Sequence, residues 1–232
     1  MKKIGLVGGT GPESTAMYYK ELNLQIDRMT GGKAMPDIAI ESVNFRKAFG
    51  YVTSGDNKAL TGYLSEKVNM LKATGSEIIA LTAVTMHKVF DAVIENTGVS
   101  LISIPQATCD EALMRGYKKI GLLGTIFTME QNFMKKDFVQ AGIEIAVPSK
   151  ADRDLVAKRI FEELELGIVK EITLNEINGI ISKMKNDDGI EAVILGCTEL
   201  PLLLNDDNCV LPCLDCVKIH ISKLMQLACK ED

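Results

Sequence analysis

Along this chain, short runs in which almost every residue is apolar alternate with longer stretches whose apolar residues recur every three or four positions. The first rhythm suits strands buried on both faces, and the second suits helices with one buried stripe. "KIGLVGG" predicts a strand ending in glycines, followed by a helix over "ESTAMYYKELNLQI" that Ser14 caps. "DIAIESV" predicts a second strand. From Asn57 to Lys72, Leu60, Leu64, Val68 and Leu71 share one helical face, and Gly75 stands where a helix stop is wanted. "EIIAL" then predicts a strand, "HKVFDAVIEN" a helix and "LISI" a short strand.

At Lys118 the pattern restarts. "KKIGLLGT" repeats "KKIGLVGG" almost residue for residue, and "TMEQNFMKKDFVQAG" predicts a helix capped by Thr128 and stopped at Gly142. "IEIAV" is a strand, helices follow around Leu155 to Leu166 and Ile172 to Met184, and "EAVILGC" and "CVLP" are strands before a closing helix from about Val217. Each "IGL" strand lies roughly 80 residues before a small-residue tip, Ala83 in the first half and Cys197 in the second, which marks an internal duplication. The expected fold is therefore α/β, with two pseudo-symmetric parallel-sheet domains. The first covers residues 1–103, with the closing helix at about 217–232 packing back on it, and the second covers residues 104–216.

Ligands of such sheets bind beyond the carboxyl ends of the strands. The candidate site therefore gathers Gly8, Gly9 and Thr10 after the first strand, Thr82 and Thr85 after "IIAL", Thr125 and Thr128 after "IGLL", and Cys197, Thr198 and Glu199 after "AVIL". Small residues let a ligand approach the backbone, and hydroxyls with amides bind a carboxylate. Each threonine alone reads equally as a cap or turn residue. The repetition at matching tips is what points to a ligand.

Composition narrows the field of functions. A net charge of −5 with interspersed signs carries no basic stripe, so nucleic acid is not an expected partner. The opening "MKKIGLVGG" fits neither a signal segment nor a membrane-spanning helix. Six cysteines without regular dense spacing suit reduced thiols, and a cytoplasmic, soluble protein is expected.

"IGLVGGTGPEST", "TMH" from Thr85 to His87, "GLLGT" and above all "GCTELPLL" from Gly196 resemble the aspartate/glutamate racemase family, the cofactor-independent amino-acid racemases, over essentially the whole chain. The resemblance implies an isomerase with its active site between two pseudo-symmetric α/β domains, usually in a homodimer, acting on a small amino acid or dicarboxylate. It implies neither a metal nor a cofactor. Inverting an α-carbon requires an acid/base group on each face of the substrate. A thiol suits the task where amides and helix N-termini lower its pKa.

The family motifs place one such cysteine after each of the two strands, the first inside Cys-Asn-Thr. This chain has Ala83-Val84-Thr85 there. Cys197 is left without a partner, and Val84 replaces an amide that holds the substrate. Thr82 stands one residue early and on the opposite face, so it substitutes only if the loop shifts register. The resemblance also implies that Arg46, in "VNFRK", meets an acidic side chain, along with Gly9, Thr10 and the tip threonines as substrate-binding residues. Glu165 falls where some members carry a lysine. The expected outcome is slow or direction-biased racemisation by Cys197. The alternatives are a lyase like the related single-cysteine arylmalonate decarboxylases, or a non-catalytic amino-acid-binding protein.

Further patterns carry other readings. Cys209, Cys213, Cys216 and His220 have ligand types that suit zinc, although "CVLPCLDCVKIH" reads more simply as a strand, a turn at Pro212 to Asp215 and a helix capped by Asp215. "GGTGPES", with Glu41 ending the second strand, approximates a dinucleotide loop, but Ser14 replaces the third glycine and Pro12 interrupts the helix start. His87 reads as a helix-start histidine or as an acid/base group.

Overall fold

The computed structural model describes residues 1–230. The chain forms two compact units, residues 1–104 together with the segment from His220 onward, and Pro105–Ile219.

In the first unit, β1 (Ile4–Gly8), β2 (Ile38–Ser42), β3 (Ile78–Leu81) and β4 (Leu101–Ile102) form a parallel sheet in the order β2-β1-β3-β4. β1 and β3, the two central strands, are buried at every position. That accounts for their unbroken apolar runs. The helices are α1 (Pro12–Met29), α2 (Phe45–Ser54), α3 (Asn57–Ala73) and α4 (Phe90–Thr97). Tyr18, Leu22 and Ile26 of α1 and Leu60, Leu64, Val68 and Leu71 of α3 supply the buried stripes.

Pro105–Ile219 repeats the plan. It opens on most of α5 (Ile104–Met114), and β5 (Lys119–Leu123), β6 (Glu144–Ala146), β7 (Ala192–Leu195) and β8 (Cys213–Asp215) form a second parallel sheet in the order β6-β5-β7-β8. Its helices are α6 (Ile126–Glu130), α7 (Lys136–Gln140), α8 (Lys150–Glu162), α9 (Glu171–Asp188) and α10 (Leu200–Leu203). Ile177, Ile181 and Met184 of α9 pack with Val193, Leu195 and Cys197 in one core. The last helix, α11 (Cys216–Cys229), runs from the end of β8 into the segment that completes the first unit. No helix among the described residues is long and apolar enough to cross a membrane.

Several local expectations are corrected. α1 starts at Pro12 with Gly11 at its N-cap, so Ser14 lies inside the first turn, where its hydroxyl donates to the Thr82 carbonyl at 2.8 Å instead of capping. Proline at the first helical position has no amide to leave unpaired, so it starts the helix rather than interrupting it. The single helix expected over "TMEQNFMKKDFVQAG" is two, α6 and α7, and the cap is Thr125, whose Oγ1 accepts from the Thr128 amide at 3.3 Å. "HKVFDAVIEN" divides into a 3₁₀ turn, Val84–Val89, and α4. The strand expected at "CVLP" begins at Cys213, after Pro212, which has no amide to give a ladder. α2 and α5 had no counterpart in the sequence pattern.

Candidate functional site

The register of the two sheets provides a ruler. Val7 pairs with Leu81 in the first, and Leu123 pairs with Leu195 in the second. The next amide makes the same bond in each: Thr82 N–H donates to the Val7 carbonyl at 3.1 Å, and Gly196 N–H donates to the Leu123 carbonyl at 2.8 Å. Ala83 and Cys197 are thus both the second residue beyond a strand in identical register.

In the first unit, the turn after β1 closes on itself. Gly9 has φ +87°, and a Cβ there would stand 2.4 Å from the Val43 carbonyl oxygen, so glycine is required twice over. Thr15 Oγ1 accepts from Gly9 N–H at 2.9 Å and donates to the Gly11 carbonyl at 3.2 Å. Thr82 is fully buried, and its hydroxyl donates to the Val7 carbonyl at 3.2 Å, which removes it as a proton carrier at the surface of the tip. Ala83 is half-buried and extended, and Val84 is buried at the head of the 3₁₀ turn with Thr85 half-exposed behind it. Thr10 is half-buried, and Arg46 is exposed in the first turn of α2, which Asn44 caps through the Lys47 amide at 3.1 Å.

His87 holds this tip from below. Its Nε2 accepts from Ile104 N–H at 3.1 Å, so Nδ1 carries the proton and donates to the Ala83 carbonyl at 3.1 Å. The ring also stacks on Phe90, with centroids 4.9 Å apart. His87 is a buried positioning group for the Ala83 backbone.

In the second unit, Gly196 permits a tight passage. A Cβ there would lie 2.7 Å from the Leu123 carbonyl oxygen and 3.0 Å from Thr128 Cγ2. Thr128 is fully buried, with its hydroxyl 3.1 Å from that of Thr125, so this pair braces the turn after β5. Cys197 follows, buried at 6% exposure. Burial, then the negative charge of Glu199, push its thiol well above the ordinary range, and the amides of Leu200 and Glu199 only partly offset this. The lowered thiol pKa expected from the resemblance is therefore corrected. The Glu199 carboxylate, which raises the Cys197 thiol, also accepts from Thr198 Oγ1. Glu165, in the 3₁₀ turn Leu164–Leu166, is held above the usual carboxylate range by burial and then by Glu199.

Cys216, which the sequence reading did not place here, donates from Sγ to the Leu195 carbonyl at 3.0 Å, directly behind the Cys197 turn. Only its place at the start of α11 hinted at this. The four residues of the zinc-like spacing diverge. His220 accepts from Tyr18 OH at Nδ1 at 2.7 Å and faces the Ile102 carbonyl with Nε2 at 3.1 Å, in the first unit. Among the described residues no three His, Cys, Asp or Glu side chains converge as metal ligands.

The family model described as Asp/Glu/Hydantoin racemase matches residues 7–224. Among solved structures, a candidate Asp/Glu racemase from Yersinia pestis is 36% identical with a TM-score of 0.94, the match covering 99% of this chain and 100% of that one. An aspartate racemase homologue from Pyrococcus horikoshii OT3 is 38% identical with a TM-score of 0.88, over 99% and 100% of the two chains. The aspartate racemase of Picrophilus torridus, 18% identical over 100% of this chain and 96% of its own, shares the fold with a TM-score of 0.78.

Proposed function

The chain belongs to the Asp/Glu/Hydantoin racemase family, and from that premise we propose that it transfers protons at the α-carbon of a small amino acid or dicarboxylate with Cys197 as its acid/base group. The reaction uses no cofactor, and it is one-sided: racemisation is slow or direction-biased because Ala83 stands where the opposite thiol is needed. The observation that carries this reading is the common register of the two strand tips, which sets a thiol and a methyl group at matching positions.

The chemistry follows from the groups present. A thiol kept protonated by burial and by Glu199 is ready to deliver a proton to a carbanion. In the reverse sense Glu199 accepts the thiol proton as the sulfur takes up the α-hydrogen, so the glutamate is the relay partner of the cysteine. Gly9, Thr10, Thr85 and Thr198 supply amides and hydroxyls for the substrate carboxylate, and Arg46 supplies a cation for an acidic side chain. The two-thiol exchange of a symmetric racemase has no second member here. The same one-sidedness favours a second reading, a lyase in which Cys197 protonates the carbanion left by decarboxylation of a malonate.

Single enantiomers of acidic amino acids incubated in deuterated water test the proposal. Deuterium at the α-carbon that disappears in Cys197→Ser is expected, with retention exceeding inversion. Carbon dioxide released from malonates without exchange of amino acids selects the lyase. Neither reaction, with amino-acid binding intact, leaves a binding protein. Exchange that persists in Cys197→Ser removes the mechanism.

A further inference from the structure

At the amino end of the first sheet, opposite the strand tips, sulfur gathers where the proton chemistry does not reach. A cavity of about 590 Å³ is lined by Met1, Met29 and Cys229, with Thr30, Ala34 and Glu77 among its other walls. Met1 precedes β1, Met29 ends α1 and Cys229 ends α11, so all three belong to the first unit. The Cys229 thiol donates to Met1 Sδ at 3.9 Å. Met1 and Met29 are 58% and 51% exposed, too open to serve as core packing.

The backbone holds these sulfurs in place. Lys2 N–H donates to the Ala228 carbonyl at 2.9 Å, which ties the residue after Met1 to the residue before Cys229. Beyond Met29, Thr30 N–H donates to the Ile26 carbonyl at 2.9 Å, and Thr30 Oγ1 accepts from Ala34 N–H at 3.1 Å. The end of α1 is thus braced at the cavity wall. Two sulfurs bound to one ion at about 2.3 Å, with about 120° between the bonds, stand about 4.0 Å apart. The resting distance of 3.9 Å between Cys229 and Met1 is already that of two corners of a trigonal site, and Met29 lines the same cavity for the third.

From this geometry we propose that Met1, Met29 and Cys229 form a binding site for a soft monovalent metal ion, copper(I), separate from the reaction at Cys197. One thiol and two thioethers are ligands that select copper(I) over hard cations. The Cys229 S–H bond breaks as the sulfur–metal bond forms, the proton leaves to water, and the metal keeps its oxidation state. One thiolate balances one positive charge, so the filled centre is neutral. The rest of the lining favours the same ion. Lys2 and Lys230 bring positive charge to the walls, and the Glu77 carboxylate already accepts from Lys3 N–H at 3.3 Å. A divalent cation would meet like charges there and little oxygen to bind.

NMR of the full-length protein, with isotopically labelled methionine methyl groups, tests the site. One equivalent of copper(I), added without oxygen, is expected to shift two of the eleven methionine methyl signals. One of the two is expected to be missing in Met29→Leu. The copper(I) affinity of that variant, measured by competition with bicinchoninate, is expected to fall by at least about tenfold, the lower end of the loss when even an outer partner of a metal is removed. Cys229→Ser is expected to abolish both shifts, while Cys209→Ser leaves them in place. Copper(I) bound with fewer than two methyl signals moved overturns the proposal, as do shifts that survive in Cys229→Ser. A wild-type protein that withdraws no copper(I) from bicinchoninate overturns it as well, whether or not a variant folds.

Discussion

At the tip of β3, a threonine buries its hydroxyl against the strand it has just left, an alanine follows, and a valine closes the turn. At the tip of β7, the same three places hold a glycine too crowded for any side chain, a cysteine, and a threonine in contact with a carboxylate. The backbone bonds to the neighbouring strand are the same in both. The same scaffold stands at both ends, while a thiol and a carboxylate stand at one end only. A fold that is symmetric in its hydrogen bonds can therefore be asymmetric in its chemistry, because the backbone register does not constrain what the second residue past the strand carries.

The sharpest way to break this comparison is Cys197→Ser. If the second tip carries the chemistry, α-hydrogen exchange falls by about 10²–10⁴-fold, the range for losing a general acid/base, while Cys209→Ser leaves it unchanged. Next in size is the converse. Ala83→Cys with Val84→Asn is expected to raise racemisation in both directions by up to about 10²-fold, and each single change is expected to give less than the pair. Initial rates from each enantiomer measure this. A folded double variant that binds an acidic amino acid but shows no gain would mean that Ala83 does not face the substrate.

Stability sharpens the same contrast. Gly196→Ala forces a Cβ onto the Leu123 carbonyl, and a loss of about 1–3 kcal/mol in urea unfolding is expected. Thr82→Ala removes only a second bond to a carbonyl that the Thr82 amide already satisfies, and about 1 kcal/mol or less is expected.

The first unit also holds both histidines of the chain, and one of them gives it a pH dependence. Burial above all holds His220 down at about 3, from an ordinary 6.5. The folded protein keeps this ring neutral while the unfolded chain protonates it below about 6.5. Stability from this group is therefore complete above pH 6.5 and declines as the pH falls towards 3, at about 1.4 kcal/mol per unit. Unfolding curves at pH 6.5 and 5 are expected to converge in His220→Gln. Smallest is Glu199→Gln. Removing the carboxylate that helps to raise Cys197 is expected to lower its pKa, so that iodoacetamide reacts with it faster at a given pH.

What could be read from the sequence was what burial on both faces imposes. "IGLV", "IIAL" and "AVIL" have to be apolar throughout, and their repetition disclosed both the parallel sheets and the matching of Ala83 with Cys197. α2 escaped because only Ala48 and Val52 of its ten residues are buried, too few to set up a rhythm. The break between α6 and α7 escaped because residues 131–135 contain neither glycine nor proline to announce it. The thiol of Cys197 was misjudged for a different reason. Its motif shows the amides that lower a pKa, but the depth of burial that raises it belongs to the packed core. The residue types of Ser14 and Thr128 allow caps, and only the closure of the chain shows that one reaches the Thr82 carbonyl just past β3 and the other supports a neighbouring turn.

The second unit is one uninterrupted stretch, Pro105–Ile219, whereas the first is closed only by residues from His220 onward. A ribosome therefore delivers the first sheet early but withholds its last buttress, the ring that joins Tyr18 to the Ile102 carbonyl, until all of Pro105–Ile219 has been made. The half translated last is the first to have all its parts. The half translated first must wait, with part of its core open, for the final turns of α11.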